Sequence, residues 1–98
     1  MALSRERIKK LRGEAHGLDP VVRVGAAGLS EGVLLAIDDA LEAHELVKIR
    51  MLTDDRNLRA DWGDEILART RSEKIQSIGK MLVIWRKRTP KREREARD

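Results

Sequence analysis

At 98 residues, 41% of them hydrophobic and 39% charged, the chain has room for one compact domain that buries roughly 60–65% of its unfolded surface. Cysteine is absent, which excludes disulfides, thiolate metal sites and cysteine nucleophiles; no apolar run spans a bilayer, and Met1-Ala2-Leu3-Ser4-Arg5-Glu6-Arg7 lacks a signal-peptide core, so a cytoplasmic protein is expected. The formal charge of +4 is uneven: Lys and Arg outnumber Asp and Glu five to three in residues 1–20, fall short nine to eleven in 21–85, and exceed them seven to three in 86–98, an excess at both ends that suits a polyanionic partner as well as it suits plain solubility.

Ser4 is a good N-cap for a first helix, with Leu3 and Ile8 placed to form a hydrophobic staple. Ile8, Leu11 and Ala15 share one face, and Arg5, Lys9, Arg12 and His16 form an adjacent basic stripe at 100° per residue. Gly17 stops the helix and Asp19-Pro20 turns the chain. Val21-Val22-Arg23-Val24 reads as a short buried strand.

Gly25-Ala26-Ala27-Gly28-Leu29-Ser30 follows, with two glycines three apart between a strand and a helix. Two readings stand at this point. One is a tight turn in which glycine supplies positive φ. The other is a G-x-x-G loop, whose bare backbone approaches the sugar-phosphate chain of a nucleic acid closely. Ser30 caps a second helix with Val33, Leu34, Ile37, Ala40 and Leu41 on its apolar face. Its N-terminal N–H groups and the loop form an anion-binding corner, where Ser30 is a candidate phosphate contact beside its capping role.

The second helix ends near His44, a residue suited to a helix C-terminus. Leu46-Val47-Lys48-Ile49-Arg50-Met51 is a strand of period two, which puts Lys48 and Arg50 on a face partly open to water. A third helix over 56–70 uses Leu58, Trp62, Ile66 and Leu67 for its core side, with Gly63 costing about 1 kcal/mol relative to alanine. The acidic residues Asp54, Asp55, Asp61, Asp64 and Glu65 fail the calcium-loop template, because Arg59 stands at a ligand position, and charge compensation at a helix N-terminus is the better account. Residues 74–78 and 81–85 form a hairpin through Gly79-Lys80. Residues 1–88 therefore form the domain, and the run after Pro90 is expected to be a flexible basic tail.

The order α-β-α-β-α-β-β describes an α/β domain of two or three layers with a four-stranded mixed sheet, parallel where helices separate the strands and antiparallel at the last hairpin. In this setting Leu11-Arg12-Gly13-Glu14-Ala15-His16-Gly17-Leu18-Asp19-Pro20 and the strand and glycine loop after it resemble the signature of the CRM domain, the chloroplast RNA splicing and ribosome maturation module. Residues 41–49 and 78–86 are similar to the end of its second helix with the following strand and to its final hairpin.

The resemblance implies a fold related to the C-terminal domain of translation initiation factor three and an RNA-binding function, in bacterial members with precursors of the large ribosomal subunit. It places the RNA-contacting loop on Gly25, Ala26, Ala27 and Gly28 and basic contacts on Arg5, Lys9, Arg12, Lys48 and Arg50. Many members carry a lysine or polar residue inside the loop. Ala26 and Ala27 do not, so charge has to come from the flanks.

No histidine–carboxylate–nucleophile set is present, so no enzyme is expected, and neither is a cofactor or a metal. With Phe and Tyr absent, base stacking on an aromatic sheet is disfavoured; Trp62 is assigned to the core and Trp85 to sheet packing rather than to a base. The expected partner is RNA, as ribosomal RNA or a pre-ribosomal particle, bound by a monomer. The competing reading is a module that docks on a ribosomal protein or assembly factor. DNA binding is disfavoured because no helix-turn-helix pairing occurs.

Overall fold

The computed structural model describes residues 3–88; the basic run after Pro90 lies outside them. Seven elements follow in order: α1 (Arg5–Ala15), β1 (Val22–Val24), α2 (Glu31–His44), β2 (Leu46–Met51), α3 (Arg56–Thr70), β3 (Glu73–Ile78) and β4 (Met81–Trp85). Each helix starts on a side chain that satisfies an orphan N–H. Ser4 accepts from Arg7 N–H, Ser30 from Val33 N–H and Asp55 from Leu58 N–H, each at 3.1 Å. The first helix ends at Ala15 with His16 as its C-cap, which puts Gly17 at the position after the cap, where it stops the helix as expected.

The sheet order is β1-β2-β4-β3. β1 and β2 are parallel, while β4 runs antiparallel to both β2 and β3, so β1, β2 and β3 share one direction and the last strand is inserted between two of them. The period-two strands give the sheet two apolar faces, and the fold has three layers. Val24, Val47, Ile49, Met51, Leu82 and Ile84 pack with Leu34, Ile37 and Leu41 of α2 and Ile66 of α3. On the other face Val83 and Ile75 pack with Leu11 and Ala15 of α1, flanked by Leu3, Ile8, Leu46 and Trp85. The expected staple residues Leu3 and Ile8 both join this second cluster.

The buried side of α3 differs in part from the expected one. Gly63, Ile66 and Thr70 are the buried positions, Trp62 and Leu67 are half-buried, and Leu58 is exposed. Thr70 tolerates burial because its hydroxyl donates to Ile66 O (2.7 Å), back along the helix, and shares a hydrogen bond with Ser72 (2.8 Å). Gly63 lies over Leu82, and a methyl group added there would stand 3.9 Å from Leu82 Cδ2, an ordinary contact. Gly63→Ala should therefore raise stability by about 0.5–1 kcal/mol, read as a higher denaturation midpoint. A lower midpoint would show that α3 needs a closer approach to the sheet than these positions allow.

Arg86 joins three elements at the end of β4. Its Nη1 donates to Asp38 Oδ1 (2.6 Å) and Thr70 O (2.8 Å), and its Nη2 to Asp38 O and Glu42 Oε2 (both 3.3 Å). Its backbone N–H donates to the carbonyl of Glu45, the residue of positive φ (61°) between α2 and β2. The guanidinium thus sits at the C-terminal end of α3, where a cation complements the helix dipole, and bridges it to the acidic middle and last turn of α2.

Candidate nucleic-acid interface

Three connections meet at one end of the sheet, where β1, β2 and β3 all finish. They are Gly25–Leu29, Leu52–Asp55 and the Gly79-Lys80 turn. Leu52 N–H donates to Val24 O and Met51 N–H to Lys80 O, both at 2.8 Å. Lys80 Nζ lies 2.8 Å from Asp54 Oδ1, and this contact holds the Asp54 carboxyl below the usual carboxylate range, chiefly through the hydrogen bond. The connections are tied to each other, which sets the position of the glycine loop.

Within the loop, Gly28 N–H donates to Gly25 O (2.9 Å), closing a four-residue turn with Ala26 and Ala27 exposed at its tip. Gly28 has φ +76°, and its Cα side faces the indole of Trp62, 3.7 Å from Cζ2 to the position of an added Cβ. The turn reading of the glycines is met: Gly28 supplies the positive φ, and the two alanines at the tip are exposed. Trp62, assigned to the core from sequence, is the half-buried floor of this loop.

The corner at the start of α2 is less cationic than its N–H groups alone imply. Ser30 Oγ accepts from Val33 N–H, leaving the hydroxyl proton free to donate. Glu31 sits in the first turn, and both its oxygens accept from Arg69 Nη2 at 2.8 and 3.0 Å. That contact also raises the Arg69 pKa.

The basic candidates fall on the opposite face of the sheet, the side of α1. Arg23 on β1 and Arg50 on β2 are paired in register, and Lys48 lies two residues back along β2. Arg23, missed as a candidate because residues 21–24 read as a buried strand, is exposed beside Arg50. Two cations side by side on adjacent strands repel, and among the described residues none of Arg23, Lys48 and Arg50 has an ion pair. The end of α1 lies beside them, with Ala15, His16, Lys48, Gln76 and Met81 lining one shallow depression.

The α1 stripe is not adjacent to the glycine loop. Arg12 Nε donates to Ile75 O (3.0 Å), at the point where β3 bulges against β4. That anchors Arg12 near β3, the edge of the sheet opposite β1, three strand spacings or roughly 14 Å from the loop's edge. Arg5 and Lys9 are exposed on the same helix flank. Lys48, Arg50 and Arg23 fill the interval between stripe and loop. Trp85 packs against α1 as expected, with the Arg7 guanidinium 6.0 Å from its ring centroid.

Charge is therefore uneven between the helices. Basic residues predominate on α1 and the open part of its sheet face, whereas α2 carries Glu31, Asp38, Asp39 and Glu42 and no Lys or Arg, and α3 beside it balances Arg56, Arg59 and Arg69 against Asp61, Asp64 and Glu65. Among the described residues no cluster of His, Asp or Glu is placed to hold a metal ion, and no helix is long and apolar enough to cross a membrane.

The sequence profile of the CRS1 / YhbY (CRM) domain matches residues 3–86, almost all of the described chain. The chain belongs to this family. A probable RNA-binding protein of Pseudomonas aeruginosa is 42% identical to this CRM domain over 87 residues, covering 89% of the chain and 84% of the relative. An RNA-binding protein of Haemophilus influenzae is 40% identical, with 86% and 85% covered. The solution structure of a hypothetical protein from Staphylococcus aureus matches the CRM domain with a TM-score of 0.78 and 34% identity, over 94% of this chain and 96% of that one. The α-β-α-β-α-β-β order, the four-stranded mixed sheet and the family expected from sequence all hold.

Proposed function

We propose that this CRM domain binds structured RNA through the phosphate backbone. The nucleic acid lies along the α1 flank of Arg5, Lys9 and Arg12, crosses the sheet face at Lys48, Arg50 and Arg23, and reaches the bare backbone of Gly25–Gly28 and the Ser30 hydroxyl. The observation that carries this reading is the row of exposed cations without ion pairs, Arg23, Arg50 and Lys48, beside the basic flank of α1 and facing away from the acidic helix α2. Such an arrangement orients a polyanion without reading bases, so recognition is of shape and charge. The names of the Pseudomonas and Haemophilus relatives support RNA as the partner. The family resemblance supports ribosomal RNA or a precursor of the large subunit as the RNA; in this reading the domain acts as a monomer in the cytoplasm, without catalysis.

Binding to ribosomal RNA fragments should weaken steeply with salt. With about five phosphates neutralised, affinity should fall on the order of a hundredfold or more between 50 and 200 mM salt. An affinity indifferent to salt would refute the electrostatic reading. Gly28→Asp tests the loop separately: a side chain at φ +76° costs about 1 kcal/mol of folding stability, while the new carboxylate repels phosphate. Binding should drop about tenfold or more, and the domain should still melt cooperatively. Unchanged binding by the folded variant would take the loop out of the interface.

A further inference from the structure

A cleft of about 400 Å³ opens between α3 and the β3–β4 hairpin, on the face of the sheet opposite α1. Its lining is mixed: the buried Met51, Leu82 and Gly63 lie at its base, the half-buried Leu67 and the exposed Ala60 give it apolar surface, and Arg56, Arg59 and Lys74 stand around it. Gly63 matters here because it presents no side chain where α3 passes over Leu82, which leaves the base flat. Arg59 is fixed by donating from Nη1 to Thr53 O (2.8 Å). Arg56 and Lys74, by contrast, make no side-chain hydrogen bond or ion pair among the described residues, whereas Arg69, Lys80 and Arg86 are all committed to carboxylates. Unspent cations around apolar surface are a mixed demand: a flat apolar group below and a negative charge at the mouth. Asp64, also on the rim, adds an acceptor for an amino group.

We propose that this cleft takes one unpaired nucleotide of the bound RNA, its base against the apolar surface of Ala60 and Leu67 and its phosphate held between Arg56 and Lys74. The volume lies in the range of small-molecule sites. The cleft also reaches Gly79, in the turn tied to the Leu52–Asp55 connection and through it to the end of β1. A strand passing the glycine loop therefore meets the cleft at the same end of the sheet. This inference rests on the RNA-binding reading above and adds to it a preference for RNA with an extruded base.

The test compares two RNA hairpins that differ by one unpaired nucleotide in the stem, titrated with the wild-type chain, Ala60→Phe, Lys74→Ala and the Gly28→Asp loop variant. Ala60 is an exposed helix position at the cleft's rim, so phenylalanine there fills the cleft without disturbing the core. The wild type should prefer the hairpin with the unpaired nucleotide about tenfold, in keeping with burial of part of one base's apolar surface at about 25 cal/mol per Å² and one added phosphate contact. Ala60→Phe and Lys74→Ala should lose that preference while binding the fully paired hairpin within about twofold of wild type; Gly28→Asp should weaken both hairpins and keep the preference. If Ala60→Phe melts early, Lys74→Ala decides. A preference that survives in the folded cleft variants, or is missing from a wild type that binds both hairpins equally, overturns the cleft proposal and leaves RNA binding standing. A wild type that binds neither hairpin overturns both.

Discussion

Replacing Arg50 by glutamate should weaken RNA binding and strengthen the fold at the same time. Arg50 is exposed, stands in register with Arg23 on the neighbouring strand, and has no ion pair among the described residues. Reversing its charge turns a repulsive cross-strand pair into an attractive one, worth about 0.2–1 kcal/mol, which for a domain of this size raises the melting temperature by about 1–6 °C. The same change removes one phosphate contact and sets a carboxylate in the path of the backbone. Affinity at moderate salt should fall on the order of thirtyfold, and the slope of log K against log salt should shrink by about one. Thermal melts and a salt titration on the same preparation check both signs. If affinity holds, the sheet face is not part of the interface. If the melting temperature falls, Arg50 is holding the fold through a contact of its own.

The second large effect concerns stability alone. Arg86→Ala should cost about 3 kcal/mol, because it leaves Asp38 and Glu42 facing each other and strips the Thr70 carbonyl of its donor. The melting temperature should drop by roughly 12–20 °C. The guanidinium side chain retains only 17% exposure, so solvent screens this network far less than it screens Arg69 with Glu31 or Lys80 with Asp54. Arg86→Lys should recover only part of the loss, since an ammonium cannot reproduce the fork that reaches both Asp38 and Thr70. Circular dichroism melts of the two variants measure it. A drop of only a few degrees for Arg86→Ala would mean that the buried Nε, which has no partner among the described residues, offsets most of what the other nitrogens contribute.

Sequence reading found the elements well because their signals are local. Ser4 and Ser30 mark helix starts through side chains that reach three residues ahead, and residues 46–51 and 81–85 coincide with their strands because their apolar side chains suit a pleated surface. On α3, Trp62, Ile66 and Leu67 pack in the core as their spacing indicates, but the stripe also includes a glycine and a threonine, residue types that do not announce burial, while Leu58 reads as core and is exposed. What depended on distant partners was hidden. Nothing near Arg12 indicates that its Nε will meet the carbonyl of a bulge 63 residues away, and nothing near Arg86 points to Asp38. Arg23 escaped notice for a simpler reason. Residues 21–24 read as a buried strand because three of the four are valine, but only Val24 is buried, and the pairing of Arg23 with Arg50 places both on one open surface.

The position of β4 has a consequence for how the chain acquires this structure in time. β4 is the last of the seven elements to leave a synthesising ribosome, yet it lies between β2 and β3 and gives Leu82 and Ile84 to one apolar cluster and Val83 to the other. Until residues 81–85 are present, β3 has no strand to pair with and α1 has only part of a surface to cover. The early α1–β1–α2–β2 segment can form its helices and its one parallel pair, but neither cluster can close. Folding is thus postponed until almost the whole domain has been made and then engages both layers together, the behaviour expected when decisive contacts join distant parts of a chain.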